Sequence, residues 1–148
     1  MESMERLLVD GYNVIHAWDD LKARVAHSLE DARDALVSRL GVYHLVTGSE
    51  VTVVFDAHRV PGGRDRRTRV EGVHVVFTRA GRTADTVIER LAYQARRDSD
   101  PLLVATSDGF QRDLVRAMGG AVIDARELER RVVSAEAELA RQVGRYQR

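Results

Sequence analysis

The stretch Arg6-Leu7-Leu8-Val9-Asp10-Gly11-Tyr12-Asn13 is a short apolar run closed by an acid, a glycine, an aromatic and an amide. Its hydrophobic residues are consecutive rather than alternating. That pattern suits a strand covered on both faces, as in a parallel sheet. Four more runs share it: residues 51–56 (VTVVFD), 73–78 (VHVVFT), 102–106 (LLVAT) and 121–124 (AVID).

Helical periodicity fills most of the gaps. Ser28, with Asp31 three residues on, is a weak relative of the capping box. Behind it Leu29, Ala32, Leu36, Leu40 and Tyr43 fall on one helical face. A second helix is expected over residues 84–97, with Val87, Ile88, Leu91, Ala92 and Ala95 as its stripe. Asp98-Ser99-Asp100-Pro101 stops it, because proline disfavours helix in the residue before it. A third spans residues 110–118 and ends at Gly119-Gly120. A last one starts at Ala125, with Leu128, Val132, Ala135, Leu139, Val143 and Tyr146 inward and alternating Arg and Glu outward. Strands alternating with helices give an α/β fold: an open, mostly parallel five-stranded sheet with helices on both faces and right-handed crossovers. No repeat or linker interrupts it, so residues 1–148 are expected to form a single domain. Residues 57–72 are the exception, joining two strands with no helical period.

Composition excludes several classes. The chain has 148 residues, a size that supports one core without staples. It contains no cysteine, which removes disulfides, thiolate metal sites and cysteine nucleophiles. At 44% hydrophobic residues it is too apolar for a disordered chain. No apolar stretch approaches the roughly 18 residues of a membrane span. The start, Met1-Glu2-Ser3-Met4-Glu5, lacks a basic signal-peptide region, so a cytoplasmic protein is expected. Twenty-three basic residues balance 23 acidic ones. Any nucleic-acid surface must therefore be a local patch. Lys22 is the lone lysine, so chemistry requiring a lysine elsewhere is excluded.

Four aspartates stand at strand ends or in the turn that follows. Asp10 and Asp56 close the first two strands. Asp85 lies in Thr83-Ala84-Asp85, and Asp108 in Thr106-Ser107-Asp108-Gly109. Each alone has an ordinary structural explanation: turn chemistry for Asp10, an Asx-turn for Asp56, dipole complementation for Asp85 and an N-cap for Asp108. In an open parallel sheet, however, the carboxyl ends of the strands share one edge, where ligands bind. Converging carboxylates repel unless a cation sits among them. Carboxylates and waters suit Mg²⁺ or Mn²⁺, and such a site suits phosphodiester cleavage.

Competing α/β chemistries lack their motifs. There is no G-x-x-x-x-G-K-[ST], no G-x-G-x-x-G after a strand and no G-x-S-x-G. Haloacid-dehalogenase phosphatases want a second aspartate where Tyr12 stands, and they and receiver domains use a late lysine. Histidine spacing gives no H-E-x-x-H zinc site.

LLVDGYNVI at the start, VVFDAH at residues 53–58, Thr83-Ala84-Asp85 followed by Ile88-Glu89, ATSD at residues 105–108 and Ala125-Arg126-Glu127-Leu128 occur in order. This series resembles the YacP-like branch of the NYN family, whose fold is PIN-like, over nearly the whole chain. The resemblance implies a PIN-like sheet, a divalent-metal site and endoribonuclease activity or RNA processing, with a 5′-phosphate product. By motif it implies Asp10, Asp85 and Asp108 as catalytic and metal-binding acids. Asn13 and Asp56 would support them. Ser107 would bind a metal-bound water or cap a helix.

The arginine-rich segment 57–72 carries Arg59, Arg64, Arg66, Arg67 and Arg69 against Asp65 and Glu71. It reads either as an arm gripping RNA phosphates or as a solvated loop. With no aromatic between Phe55 and Phe77 it would follow backbone rather than bases. Tyr12 and Trp18 are candidates for base stacking, or for simple packing, and His58 for a phosphate contact or, more simply, a surface histidine. The expected function is a Mg²⁺- or Mn²⁺-dependent endoribonuclease cleaving single-stranded RNA with metal-activated water. The alternatives are a non-catalytic RNA-binding module of the same fold and a metal-dependent phosphatase. RNA is the expected partner, with no membrane. A ribonucleoprotein partner and a homodimer are both left open.

Overall fold

The computed structural model describes residues 4–56, 66–78 and 83–146. Its strands are β1 (Arg6–Asp10), β2 (Glu50–Phe55), β3 (Arg66–Val70), β4 (Val73–Phe77), β5 (Leu102–Ala105) and β6 (Ala121–Ile123). Its helices are α1 (Gly11–Ala17), α2 (Asp19–Val25), α3 (Leu29–Thr47), α4 (Ala84–Arg97), α5 (Gly109–Ala117) and α6 (Ala125–Tyr146).

The sheet runs β3-β4-β2-β1-β5-β6, all parallel except β3 against β4. β1 is central, and Leu7, Leu8 and Val9 are all buried. Its side chains serve both faces of the sheet. Leu7 and Val9 join Leu36, Leu40, Leu128 and Val132 in the core under α3 and α6. Leu8 joins Val87, Ile88 and Val115 under α4 and α5. Burial on both faces is why the strand carries no polar alternation. The chain builds outward from β1 in both directions, which creates a switch point at the carboxyl ends of β1, β2 and β5.

The Ser28 cap expected from sequence is formed, and the structure adds two more. Ser28 Oγ accepts from the Asp31 amide at 3.2 Å, and Thr83 caps α4 through the Thr86 amide at 3.3 Å. Asp124 caps α6 by accepting from the Glu127 amide at 2.8 Å.

Three expectations need correction. The sheet has six strands, not five, because part of segment 57–72 forms β3. This strand escapes a hydrophobic reading because all five of its residues are exposed on an edge, where charge also blunts unwanted pairing. Glu71 and Gly72, both at positive φ, turn it into β4 as a two-residue hairpin. Residues 11–25 form two short helices that were not anticipated, with Val14, Ile15, Trp18 and Leu21 fully buried. Finally, Val143 and Tyr146 do not face inward. Both are exposed, Tyr146 almost wholly so.

Candidate active site

The turn after β1 sets the site. Gly11 begins α1 against the sheet, and a Cβ there would stand 2.3 Å from the buried Phe55 ring. Only glycine lets the helix start this close. The close approach leaves Asp10 as the α1 N-cap residue, at the carboxyl edge of β1. Burial pushes the Asp10 carboxyl up to about 6. The Asn13 amide opposes this rise without forming a capping hydrogen bond, and like charge from Asp85, Asp56 and Asp108 adds to it.

Asp85, in the first turn of α4, is also raised. Burial is the first cause and repulsion from Asp108 the next, with Asp56 adding to it. Its Oδ1 accepts from Gln111 Nε2 at 3.1 Å. Asp108 is the N-cap of α5, accepting from the Gln111 amide at 2.9 Å. Gln111 is therefore bound to two of the candidate acids at once. It is 1% exposed, and its Oε1 has no hydrogen-bond partner. Asn13 Nδ2 donates to Ser107 Oγ at 2.6 Å, tying the turn after β1 to the turn after β5.

A cleft of about 830 Å³ opens at this edge. Asp10, Asn13, Asp56 and Asp85 line it, while the exposed Asp108 and Ser107 are outside its lining. Asp56, expected only in support, is thus part of the wall. Tyr12, Phe55 and Phe77 stack side by side beneath, with centroids 5.2 and 5.4 Å apart. Among the described residues no three carboxylate or imidazole groups are close enough to enclose an ion by themselves. The donor chemistry still fits a hydrated hard cation, since Mg²⁺ keeps several waters and needs only one or two carboxylates.

Other sequence candidates separate clearly. Trp18 stacks no ligand: it is fully buried, and its Nε1 donates to the Ala125 carbonyl at 2.7 Å. Tyr12 is packed on Phe55. Arg66 reaches the cleft, whereas Arg67 and Arg69 lie exposed along β3. Arg59, Arg64 and His58 lie outside the described residues. Sequence reasoning missed two residues: Gln111 and the cleft-lining Arg33.

The sequence model of the YacP-like NYN domain matches residues 7–148. The chain belongs to the YacP-like NYN domain family. NYN domains are a nuclease-like family. YacP of Bacillus subtilis (strain 168) is 42% identical over 140 residues, which is 95% of this chain and 82% of that protein. Two crystal structures of Rae1 (YacP) from Bacillus subtilis, one a tryptophan-to-leucine mutant, give TM-scores of 0.83 and 0.81. They are 39% and 41% identical and cover 97% of this chain and 84% and 82% of theirs. The YacP-like fold therefore accounts for the whole set of elements around the acidic edge. No helix among the described residues is long and apolar enough to cross a membrane.

Proposed function

We propose that this YacP-like NYN domain is a divalent-metal-dependent endoribonuclease acting on single-stranded RNA. One observation carries the reading: Asp10, Asp56 and Asp85 line one cleft with Asp108 close by, and burial together with the like charge of the other three raises the Asp10 carboxyl to about 6. Such an arrangement is costly unless a cation or a function requires it.

Asp10, Asp85 and Asp108 would hold Mg²⁺ or Mn²⁺ together with bound waters rather than by direct ligation from all three. Asp56 would add charge from the cleft wall, and Asn13 and Ser107 would fix the two turns against each other. The bound ion would supply a lowered water pKa and stabilise charge on the phosphate. Gln111 orients Asp85 and opposes the rise of its carboxyl by donating to its oxygen. Asp108 keeps the start of α5, and so Gln111, in register. RNA is the substrate class that the family and the arginines beside the acids favour together.

The test is incubation with end-labelled single-stranded RNA and Mn²⁺, with and without EDTA. Discrete products carrying 5′-phosphate, abolished by EDTA, are expected. Stable binding with no products would make this a binding module. Phosphate release from small esters with RNA untouched would make it a phosphatase.

A further inference from the structure

The acids that would hold a cation also repel the RNA backbone, so the cleft needs positive charge of its own to admit a phosphate. Two guanidinium groups line it, from Arg33 on α3 and Arg66 on β3. They come from opposite directions in the sequence and meet at one ring. The Arg33 guanidinium lies 5.6 Å from the Phe77 centroid, and that of Arg66 lies 5.2 Å from it. Arg33 Nη1 also donates to the Tyr12 hydroxyl at 3.3 Å.

What these two arginines lack is equally informative. Among the described residues neither forms an ion pair with a carboxylate, although acids share the cleft. The structural arginines behave differently. Arg39 binds Glu136 and Asp20, and Arg6 binds Asp98 and Asp100. Arg33 and Arg66 are steadied instead by a ring face and a phenol, which leave most of their five N–H donors uncommitted. A planar, uncommitted guanidinium fork matches the paired oxygens of a phosphodiester.

We propose that Arg33 and Arg66 form a phosphate-binding subsite that holds the backbone of the RNA strand next to the cleaved linkage, with Phe77 as its aromatic platform. The subsite rests on the nuclease reading above and names the part of the cleft that binds substrate. It recognises phosphate rather than base, so it contributes affinity without sequence preference.

The test uses fluorescence anisotropy with a labelled single-stranded oligoribonucleotide. The protein is the full chain carrying Asp10→Asn, which suppresses cleavage. Arg33→Ala and Arg66→Ala are added singly and together, and Arg141→Ala, remote on α6, is the control. Each cleft substitution should weaken binding several-fold and flatten the log–log salt dependence by about 0.7 per lost phosphate contact. Arg33→Lys should restore the salt slope but not the full affinity, because the charge returns without the fork. In the cleavage-competent protein the Arg→Ala variants should raise KM with little change in kcat. Should Arg33→Ala fail to fold, Arg66→Ala on the exposed strand decides the matter. Unchanged affinity and slope in folded cleft variants, with the Asp10→Asn protein binding RNA, would overturn the subsite alone. Failure of the Asp10→Asn protein to bind RNA at all would overturn the RNA reading and the subsite with it.

Discussion

Gln111 donates to Asp85 across 26 residues of sequence, Nε2 to Oδ1 at 3.1 Å, from a side chain closed off from solvent. Its amide proton and the Asp85 carboxylate form a fixed pair in which only a donor is tolerated. Gln111→Glu places a buried second acid against that oxygen. The substitution should lower the melting temperature at pH 7.5 and recover much of the loss at pH 5, where the pair shares a proton. Thermal melts at the two pH values check this; an equal loss at both would mean that the bond to Asp85 is incidental.

The Asp10 carboxyl gives a pH dependence with a definite sign. Its folded pKa of about 6 lies above the ordinary 3.8. Between those values the folded state holds the proton more tightly than the unfolded chain. Stability from this group is therefore highest below pH 3.8, falls as pH rises through the window, and is fully lost above about 6. The loss is on the order of 3 kcal/mol. Metal-free protein should show this downward slope between pH 5 and 7, and Asp10→Asn should flatten it. Cleavage should run the other way, falling as pH drops through about 6, because a protonated acid binds no cation.

Asp108 has two separable duties. Its side chain caps α5 through the Gln111 amide, a role that asparagine fills about as well. Asp108→Asn should keep the cap, raise the metal-free melting temperature by removing like charge beside Asp85 and Asp10, and abolish cleavage, whereas Asp108→Ala should also lose the cap at about 0.5–2 kcal/mol. Denaturant melts paired with RNA cleavage assays separate the two. Full activity in the asparagine variant would reduce Asp108 to a cap.

Gly11→Ala should be among the more damaging small substitutions. The new methyl would meet the Phe55 ring at 2.3–2.4 Å, in a core position with no room to give. Overpacking of this kind costs about 1–3 kcal/mol. An unchanged urea midpoint would show that α1 can shift away from the sheet, and the close approach would no longer explain the glycine.

The parallel strands were readable because burial on both faces leaves a continuous apolar run, and the strand-end aspartates followed from that reading. β3 was not readable, since its five side chains all face solvent and its turn is Glu-Gly rather than Asn-Gly or Asp-Gly. α1 and α2 are each seven residues long and carry weak termini, although the spacing of Val14, Ile15, Trp18 and Leu21 holds the signal for them. Arg33 lies off the apolar stripe of α3, and nothing in its local sequence marks it. Only the pairing of β3 with β4, which brings Arg66 to Phe77, reveals the cleft that it lines. Gln111 has no local signature at all, because its partner comes from a different crossover.

The claim beneath all of this is that the acidic cleft is built for a cation. Its most direct test is a Mg²⁺ titration of the melting temperature in the parent and in Asp10→Asn. The parent should gain stability with added Mg²⁺, by about 1.4 kcal/mol at ten times the dissociation constant. Asp10→Asn should start from a higher metal-free melting temperature, freed of repulsion, and should not respond to the ion. A parent indifferent to Mg²⁺, together with an Asp10→Asn protein that melts lower than the parent, would contradict the account.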